Sequence, residues 1–251
     1  MRNLKFGIEL EVATRKSREE VIEALENAGI NVKGSYYGSP VNYNSWKVQP
    51  DSSINGWEIV SPPLTDFDEL KTVVYILRKV LKVRCNRKTG LHIHHDISDF
   101  NIAQIKNLYR LYNKYESNAI YSIINPSRRE NWFCGPISSI MEDIEKTSNI
   151  EEFKNIDRYR YYNLNHKSFI KYGTIEFRHH QGTTDINEII AWIKLTHKLV
   201  ETAENLQKMT PIQSKNNEEA LDEMIEEIGL SNNKLVVRQL KKEQRYVSKI
   251  S

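Results

Sequence analysis

The chain has 251 residues and a formal net charge of +3, with 39% hydrophobic and 27% charged residues, a balance that fits a water-soluble globular protein and excludes a disordered one. So slight a positive charge gives no bulk attraction to nucleic acid or to an acidic membrane, and no apolar run of about 18 residues exists to cross a membrane. Two cysteines, Cys85 and Cys134, are too few for a disulfide framework, and with no apolar leader at the N-terminus the expected compartment is cytoplasmic.

Residues 4–12 alternate strictly between apolar and polar. They predict a half-buried strand with Leu4, Phe6, Ile8, Leu10 and Val12 on one face and Glu9 and Glu11 on the other. Ser17 and Glu20 make a capping box for a helix carrying Val21, Ile22 and Leu25, and Gly29 stops it. Residues 31–43 read as a loop or an irregular hairpin. Trp46–Asp51 and Trp57–Val60 predict two short strands around the turn at Asn55-Gly56, and Asp66 and Glu69 open a helix with Leu70, Val73, Val74 and Leu77 inward. Val83–Cys85 and Leu91–Asp96 predict a hairpin. Asn101 and Gln104 open a long helix with Ile105, Leu108 and Leu111 on one side, ending before Pro126.

A shorter helix starts at the Asn149 to Glu152 capping box. Tyr161–Asn165 and Thr174–His180 read as two further strands, and Asp185 and Glu188 open a helix with Ile186, Ile189 and Ile193 inward. A polar linker over 213–217 then leads to an acidic helix over 218–228 and a basic one with Lys234, Arg238, Lys241 and Lys242. This order predicts a main domain over 1–210 and a C-terminal helical extension over 211–251. The fold class is α+β: a mainly antiparallel sheet with helices packed on one face.

The chemistry lies in where the polar residues fall within the strands. Side chains two apart point the same way. Glu9 and Glu11 therefore point together, as do His92, His94 and Asp96, and as do Glu176, Arg178 and His180. Three strands each put ionisable groups on the face away from the core. His95 and His179 fall on the opposite side and take structural roles. Carboxylates and imidazole are ligands for Mg²⁺ or Mn²⁺, and two carboxylates on one strand repel unless a cation sits between them. Glu58, in Trp57-Glu58-Ile59-Val60, is a further candidate ligand, and Asp51 another, at a turn. Arg178 is placed to reach phosphate oxygens. Lys47 is a second candidate phosphate partner. The chain has no Gly-x-x-x-x-Gly-Lys-Ser/Thr motif, so a P-loop is excluded. Asn163 and Asn165 share a strand face and are candidates for substrate contact. The charged segment from Arg128 to Trp132 is a candidate cover for the pocket.

Five motifs occur in order: Phe6-Gly7-Ile8-Glu9-Leu10-Glu11; Asp51-Ser52-Ser53 with Gly56-Trp57-Glu58-Ile59-Val60-Ser61-Pro62; Gly90-Leu91-His92-Ile93-His94; Tyr162-Asn163-Leu164-Asn165; and Thr174-Ile175-Glu176-Phe177-Arg178-His179-His180-Gln181-Gly182-Thr183. Together they resemble the putative amidoligase family, carboxylate–amine ligases related to glutamate–cysteine ligase and glutamine synthetase. The resemblance spans residues 4 to 184 with long unmatched stretches between. It implies a glutamine-synthetase-like catalytic core that uses ATP and Mg²⁺ or Mn²⁺. Glu9, Glu11, Glu58, His92 and Glu176 would be metal ligands. His94 would lie near the nucleotide phosphates, and Arg178 would stabilise the transferred phosphoryl group. The implied substrates are a carboxylate and an amine, on an amino acid, peptide or protein side chain, joined through an acyl phosphate. A metal-dependent nuclease or phosphoesterase, and a non-catalytic nucleotide-binding relative, are the alternatives.

Overall fold

The computed structural model describes residues 2–36, 39, 43–129, 131–156 and 159–250. Glu130, inside the charged segment from Arg128 to Trp132, and most of the middle of the 31–43 segment lie outside the described residues. The fold is α+β, with a seven-stranded sheet and ten α-helices among the described residues. The strands are β1 (Phe6–Ala13), β2 (Val32–Gly34), β3 (Trp46–Pro50), β4 (Gly56–Val60), β5 (Gly90–Asp96), β6 (Leu164–Asn165) and β7 (Thr174–Gln181), in the spatial order β2-β3-β4-β1-β5-β7-β6. Every neighbouring pair is antiparallel except β2–β3, so the sheet is mixed. The first long strand in the sequence thus becomes the centre of the sheet.

The first two helices are α1 (Arg18–Glu26) and α2 (Asp68–Tyr75), the latter continued by a π-helical turn over Ile76–Val80. α1 carries the expected Ser17–Glu20 capping box, and the backbone leaves it through Gly29 at φ +81°. At the start of α2, Asp66 Oδ1 accepts from the Asp68 N–H at 2.9 Å. Glu69 does not cap the helix: it accepts from Trp46 Nε1 at 2.9 Å and ties α2 to β3.

α3 (Ile102–Tyr115) opens on the Asn101–Gln104 capping box and continues as a π-helical turn over Glu116–Ile120. α4 (Pro126–Arg129), α5 (Met141–Lys146) and α6 (Ile150–Asn155) are short. α7 (Lys167–Tyr172) precedes β7, and α8 (Ile186–Asn205) follows it with an Asp185 cap. α9 (Asn217–Glu227) and α10 (Lys234–Ile250) close the chain.

The apolar faces of β1, β5 and β7 pack under α3 and α8. Phe177 of β7 meets Tyr112 of α3 at 5.8 Å between ring centroids, and His95 of β5 donates to or accepts from Thr196 Oγ1 of α8 at 2.8 Å. Leu10, Ile93, Phe177, Leu195 and Leu199 belong to one continuous core. The two last helices fold back on it. Lys114 of α3 reaches Glu227 Oε2 of α9 at 2.5 Å, and Gln244 of α10 donates to Ser122 Oγ at 2.9 Å.

Three local expectations are corrected. Residues 31–43 contain β2, whose parallel pairing with β3 no alternation in so short a stretch reveals. Arg84 forms a bridge with Ala13 at the end of β1, so Val83–Cys85 is not the partner of β5. The expected strand Tyr161–Asn165 is only Leu164–Asn165.

Candidate active site

The register stacks the polar residues across six strands. Gln49 of β3 pairs with Glu58 of β4, and Glu58 pairs with Glu11 of β1. Glu9 pairs with His92 of β5, His94 pairs with Glu176 of β7, and Glu176 pairs with Asn165 of β6. Opposed residues on neighbouring strands have their Cβ atoms only about 5 Å apart, so this register alone makes a continuous polar strip.

The side chains close on one another accordingly. His92 Nδ1 lies 3.3 Å from Glu9 Oε2 and 3.5 Å from Glu176 Oε1, and its Nε2 lies 3.6 Å from Glu11 Oε1. His94 Nε2 lies 3.3 Å from Glu9 Oε1. Arg178 Nη1 reaches Glu176 Oε1 at 2.5 Å, while Asn165 Nδ2 donates to Glu176 Oε2 at 2.6 Å. Gln49 Nε2 donates to Glu58 Oε2 at 2.5 Å, and the Gly90 N–H donates to Glu11 Oε2 at 2.7 Å. Gly90 is required for close approach: a Cβ there would stand 2.8 Å from His92 Nε2 and 3.0 Å from Arg128 Nη2.

Electrostatics separates the acids into two kinds. Burial pushes the Glu9 carboxyl up, but the adjoining imidazoles of His92 and His94 outweigh that and hold it well below the usual range. Glu176 is also held down: burial opposes ionisation, and Arg178 and His94 overcome it. Glu58 goes the other way, pushed well above the usual range by burial and by the Glu9, Glu11 and Asp51 charges, against the Gln49 hydrogen bond. His94 is raised, because Glu9 and Glu176 outweigh its burial. Lys47 lies over the same strip, its ammonium pushed down by burial and by Lys171.

These residues line a cleft of about 260 Å³ whose other wall is α7, through Lys167, Lys171 and Tyr172. It continues past His92 and Arg178 into a basic end of about 560 Å³ bounded by Lys88, Arg128, Arg160 and Tyr161. The candidate set Glu9, Glu11, Glu58, His92, His94, Glu176, Arg178 and Lys47 therefore gathers in one place. Asp51 joins it at the rim, where an oxygen of Asp51, Glu11 and Glu58 all lie within 4.8 Å.

Two expected members do not gather there. His180 is turned to the helix side, because β7 bulges against β5. Ile93 pairs with Phe177 but Leu91 pairs with His180, so alternation is broken between them and His180 shares the face of Leu91. Its ring lies 5.0 Å from that of Trp192. Asn163 instead donates to Glu116 Oε1 at 2.8 Å. Conversely, Arg128 is buried, donates to the Arg178 carbonyl at 2.8 Å and lines the basic end. It sits in a charged stretch with no periodicity, and nothing in the sequence singles it out from Arg129.

A divalent cation fits the donor set. Glu9, Glu58 and His92 each offer a ligand atom within 4.8 Å of the others, as do Glu9, His94 and Glu176. Buried His94 Nε2 makes no hydrogen bond among the described residues, and Glu58 is crowded by like charge.

The family described as putative amidoligase enzymes matches residues 2–200. The chain belongs to that family. Its description points to an enzyme forming amide bonds, which takes a carboxylate and an amine. Among curated proteins there is no match. The amidoligase match covers every strand of the sheet and ends within α8. No helix among the described residues is long and apolar enough to cross a membrane.

Proposed function

We propose that this amidoligase is an ATP- and Mg²⁺-dependent (or Mn²⁺-dependent) carboxylate–amine ligase that works through an acyl phosphate. The observation that carries the reading is the meeting of four carboxylates and two imidazoles from β1, β4, β5 and β7 beside Arg178, in a cleft with basic walls. The reading takes the sheet as the glutamine-synthetase-like core that the sequence resemblance implies, and the antiparallel pairing of β3, β4, β1, β5 and β7 supports it.

In this reading Glu9, Glu11, Glu58, His92 and Glu176 hold metal ions. Bound there, such ions neutralise phosphate oxygens and supply Lewis acidity. Asn165 and Gln49 orient the carboxylates of Glu176 and Glu58 by donating to one oxygen each, leaving the other directed to the cluster. Arg178, braced by Glu176 and by the Phe133 carbonyl at 3.3 Å, offers a rigid guanidinium to a phosphoryl group as charge moves onto its oxygens. His94, whose affinity for a proton is raised by Glu9 and Glu176, lies on the same side, near where the phosphates would sit. Lys47, Lys171 and Arg160 enlarge the positive wall. The carboxylate substrate gains a phosphoryl group from ATP. The amine then attacks the acyl carbon, phosphate leaves, and the amide forms with no protein nucleophile.

The test is phosphate release from ATP and Mg²⁺ with pooled carboxylates and amines, followed by mass spectrometry for the condensation product. Release that requires both substrates and yields an amide is expected. Cleavage of nucleic acid without ATP would replace the reading with the phosphoesterase one. Nucleotide binding with no turnover under any pool would favour the non-catalytic one.

A further inference from the structure

On the opposite side of β7 from the cleft, three acid or imidazole side chains meet where β7, α8 and α10 converge. His180 comes from the bulged end of β7, Glu188 from the first turn of α8 and Glu243 from the middle of α10. A ligand atom from each lies within 4.8 Å of the other two. His180 Nε2 stands 3.8 Å from Glu188 Oε1.

Each donor is oriented from behind. His180 Nδ1 is 2.8 Å from the Gln181 carbonyl oxygen, which fixes the proton on Nδ1 and turns the Nε2 lone pair toward the acids. Glu188 is gripped by Gln181 Nε2 at 2.6 Å and by Thr183 Oγ1 at 2.8 Å. Glu243 Oε1 accepts from Gln239 Nε2 at 3.0 Å.

What remains is unsatisfied. His180 is wholly buried and Glu243 is only 7% exposed, yet His180 Nε2 and Glu243 Oε2 make no hydrogen bond among the described residues. A buried lone pair and a buried carboxylate oxygen facing a second carboxylate are costly without a cation. A cavity of about 530 Å³, bounded by Gln181, Thr183, Lys242 and Tyr246, opens onto Glu188 and Glu243 and gives an ion and its remaining water a way in.

We propose that His180, Glu188 and Glu243 form a second metal site, distinct from the cleft, for a divalent transition ion of the zinc or manganese kind. One imidazole nitrogen with two carboxylates, each held by a hydrogen-bonded partner, is the donor set such ions take. Glu243 lies beyond residue 200, where the family match ends, so the site joins the C-terminal helix to the family's sheet. Its role is structural. It staples α10 to the bulge that turns His180 away from the cleft while leaving Arg178 inside it.

The experiment uses the full chain carrying Glu9→Gln, Glu58→Gln and His92→Gln, which breaks every ligand group of the cleft. After EDTA treatment and desalting, zinc alone is added. Bound metal is counted by mass spectrometry of the elements, and thermal melts are recorded with and without the ion. One ion per chain and a rise in Tm of several degrees are expected. Adding Glu243→Gln should raise the metal-free Tm, by removing an uncompensated charge, and should abolish both the bound ion and the zinc-dependent rise. Glu188→Gln should weaken zinc at least 10-fold and serves if the Glu243 variant does not fold. No stoichiometric ion, or an ion retained with unchanged affinity in both variants, overturns the site. So does a metal-free pair of carboxylates sharing a proton, seen as a Tm indifferent to zinc. Because the cleft is disabled throughout, these results are independent of ligase activity.

Discussion

Replacing Glu176 by Gln separates the structural and chemical uses of the cleft. The wild-type carboxylate accepts from Arg178 on one oxygen and from Asn165 on the other. Gln keeps the shape but has one acceptor. Its NH₂ group must face either Arg178 or Asn165, both donors. The Asn165 amide cannot turn to help, because its oxygen already accepts from the Lys167 N–H at 2.9 Å. Arg178, with a side chain only 11% exposed, loses its nearest counter-charge. Removing one partner of such a buried pair costs about 3–5 kcal/mol. Glu9 and Glu11 still attract Arg178, so about 2–3 kcal/mol is expected, or roughly 4–12 °C in Tm for a chain of this size. The sign with pH follows from the depressed Glu176 carboxyl. Its contribution is present above the ordinary value of 4.5 and is lost as pH falls through its lower folded value. Melts of both proteins in EDTA, from pH 7 downward, should show a gap that is full at pH 7 and closes below about 4.5. A variant that melts with the wild type at pH 7, or a gap that persists in acid, would refute the argument that Glu176 holds Arg178 in place.

Glu58→Gln should act in the opposite sense. The Glu58 carboxyl is raised in the fold, so it favours the folded state in acid and loses that as pH rises above 4.5; without metal the variant should melt higher than wild type at pH 7, and calorimetry with Mn²⁺ should show weakened binding. Arg178→Lys should lower kcat for phosphate release about 100-fold or more, since a point charge cannot span Glu176, the Phe133 carbonyl and a phosphate together; near-normal turnover would make Arg178 a structural residue. Acid should destabilise the protein from pH 6.5 downward, because burial holds His95 down to about 3 and lowers His179 and His197 as well. Each adds a slope of about 1.4 kcal/mol per pH unit once the unfolded chain takes up its proton, and urea titrations of His95→Gln should show that slope reduced by one proton.

Much of the sheet is visible in the sequence because its strands alternate cleanly. β1 and β5 display their acids and imidazoles at a spacing of two, and both residues adjacent to His94 prove to face the helices, as alternation requires. The capping boxes at Ser17 and Asn101 are equally plain, being local chemistry. What escapes is non-local. The pairing of β2 depends on contacts with β3 that three residues cannot advertise. Arg128 enters the cleft because α4 packs against β7, and the bulge in β7 is set by its register with β5 rather than by any residue within it. Alternation therefore delivers Glu176 and Arg178 correctly and fails two residues later at His180.

A buried acid in this chain need not be a ligand, and Glu116 shows the difference. It too is buried and its carboxyl is pushed up by burial, but Asn163 Nδ2 at 2.8 Å and the Ile137 N–H at 3.1 Å both donate to it, and no acid among the described residues raises it further. That is a structural carboxylate satisfied by neutral donors. Glu58 has one such donor and faces Glu9, Glu11 and Asp51; Glu9 has no neutral donor of that kind among the described residues and is met by two imidazoles, which it shares with Glu176. Evolution of a stable sheet face alone would favour the Glu116 arrangement. Crowding Glu58 against Glu9, Glu11 and Asp51 makes its charge costly in the absence of a cation, whereas Glu9 and Glu176 are already offset by imidazole and Arg178. On the proposed metal-dependent reading, the crowding of Glu58 is accounted for by a cation rather than by the demands of the fold.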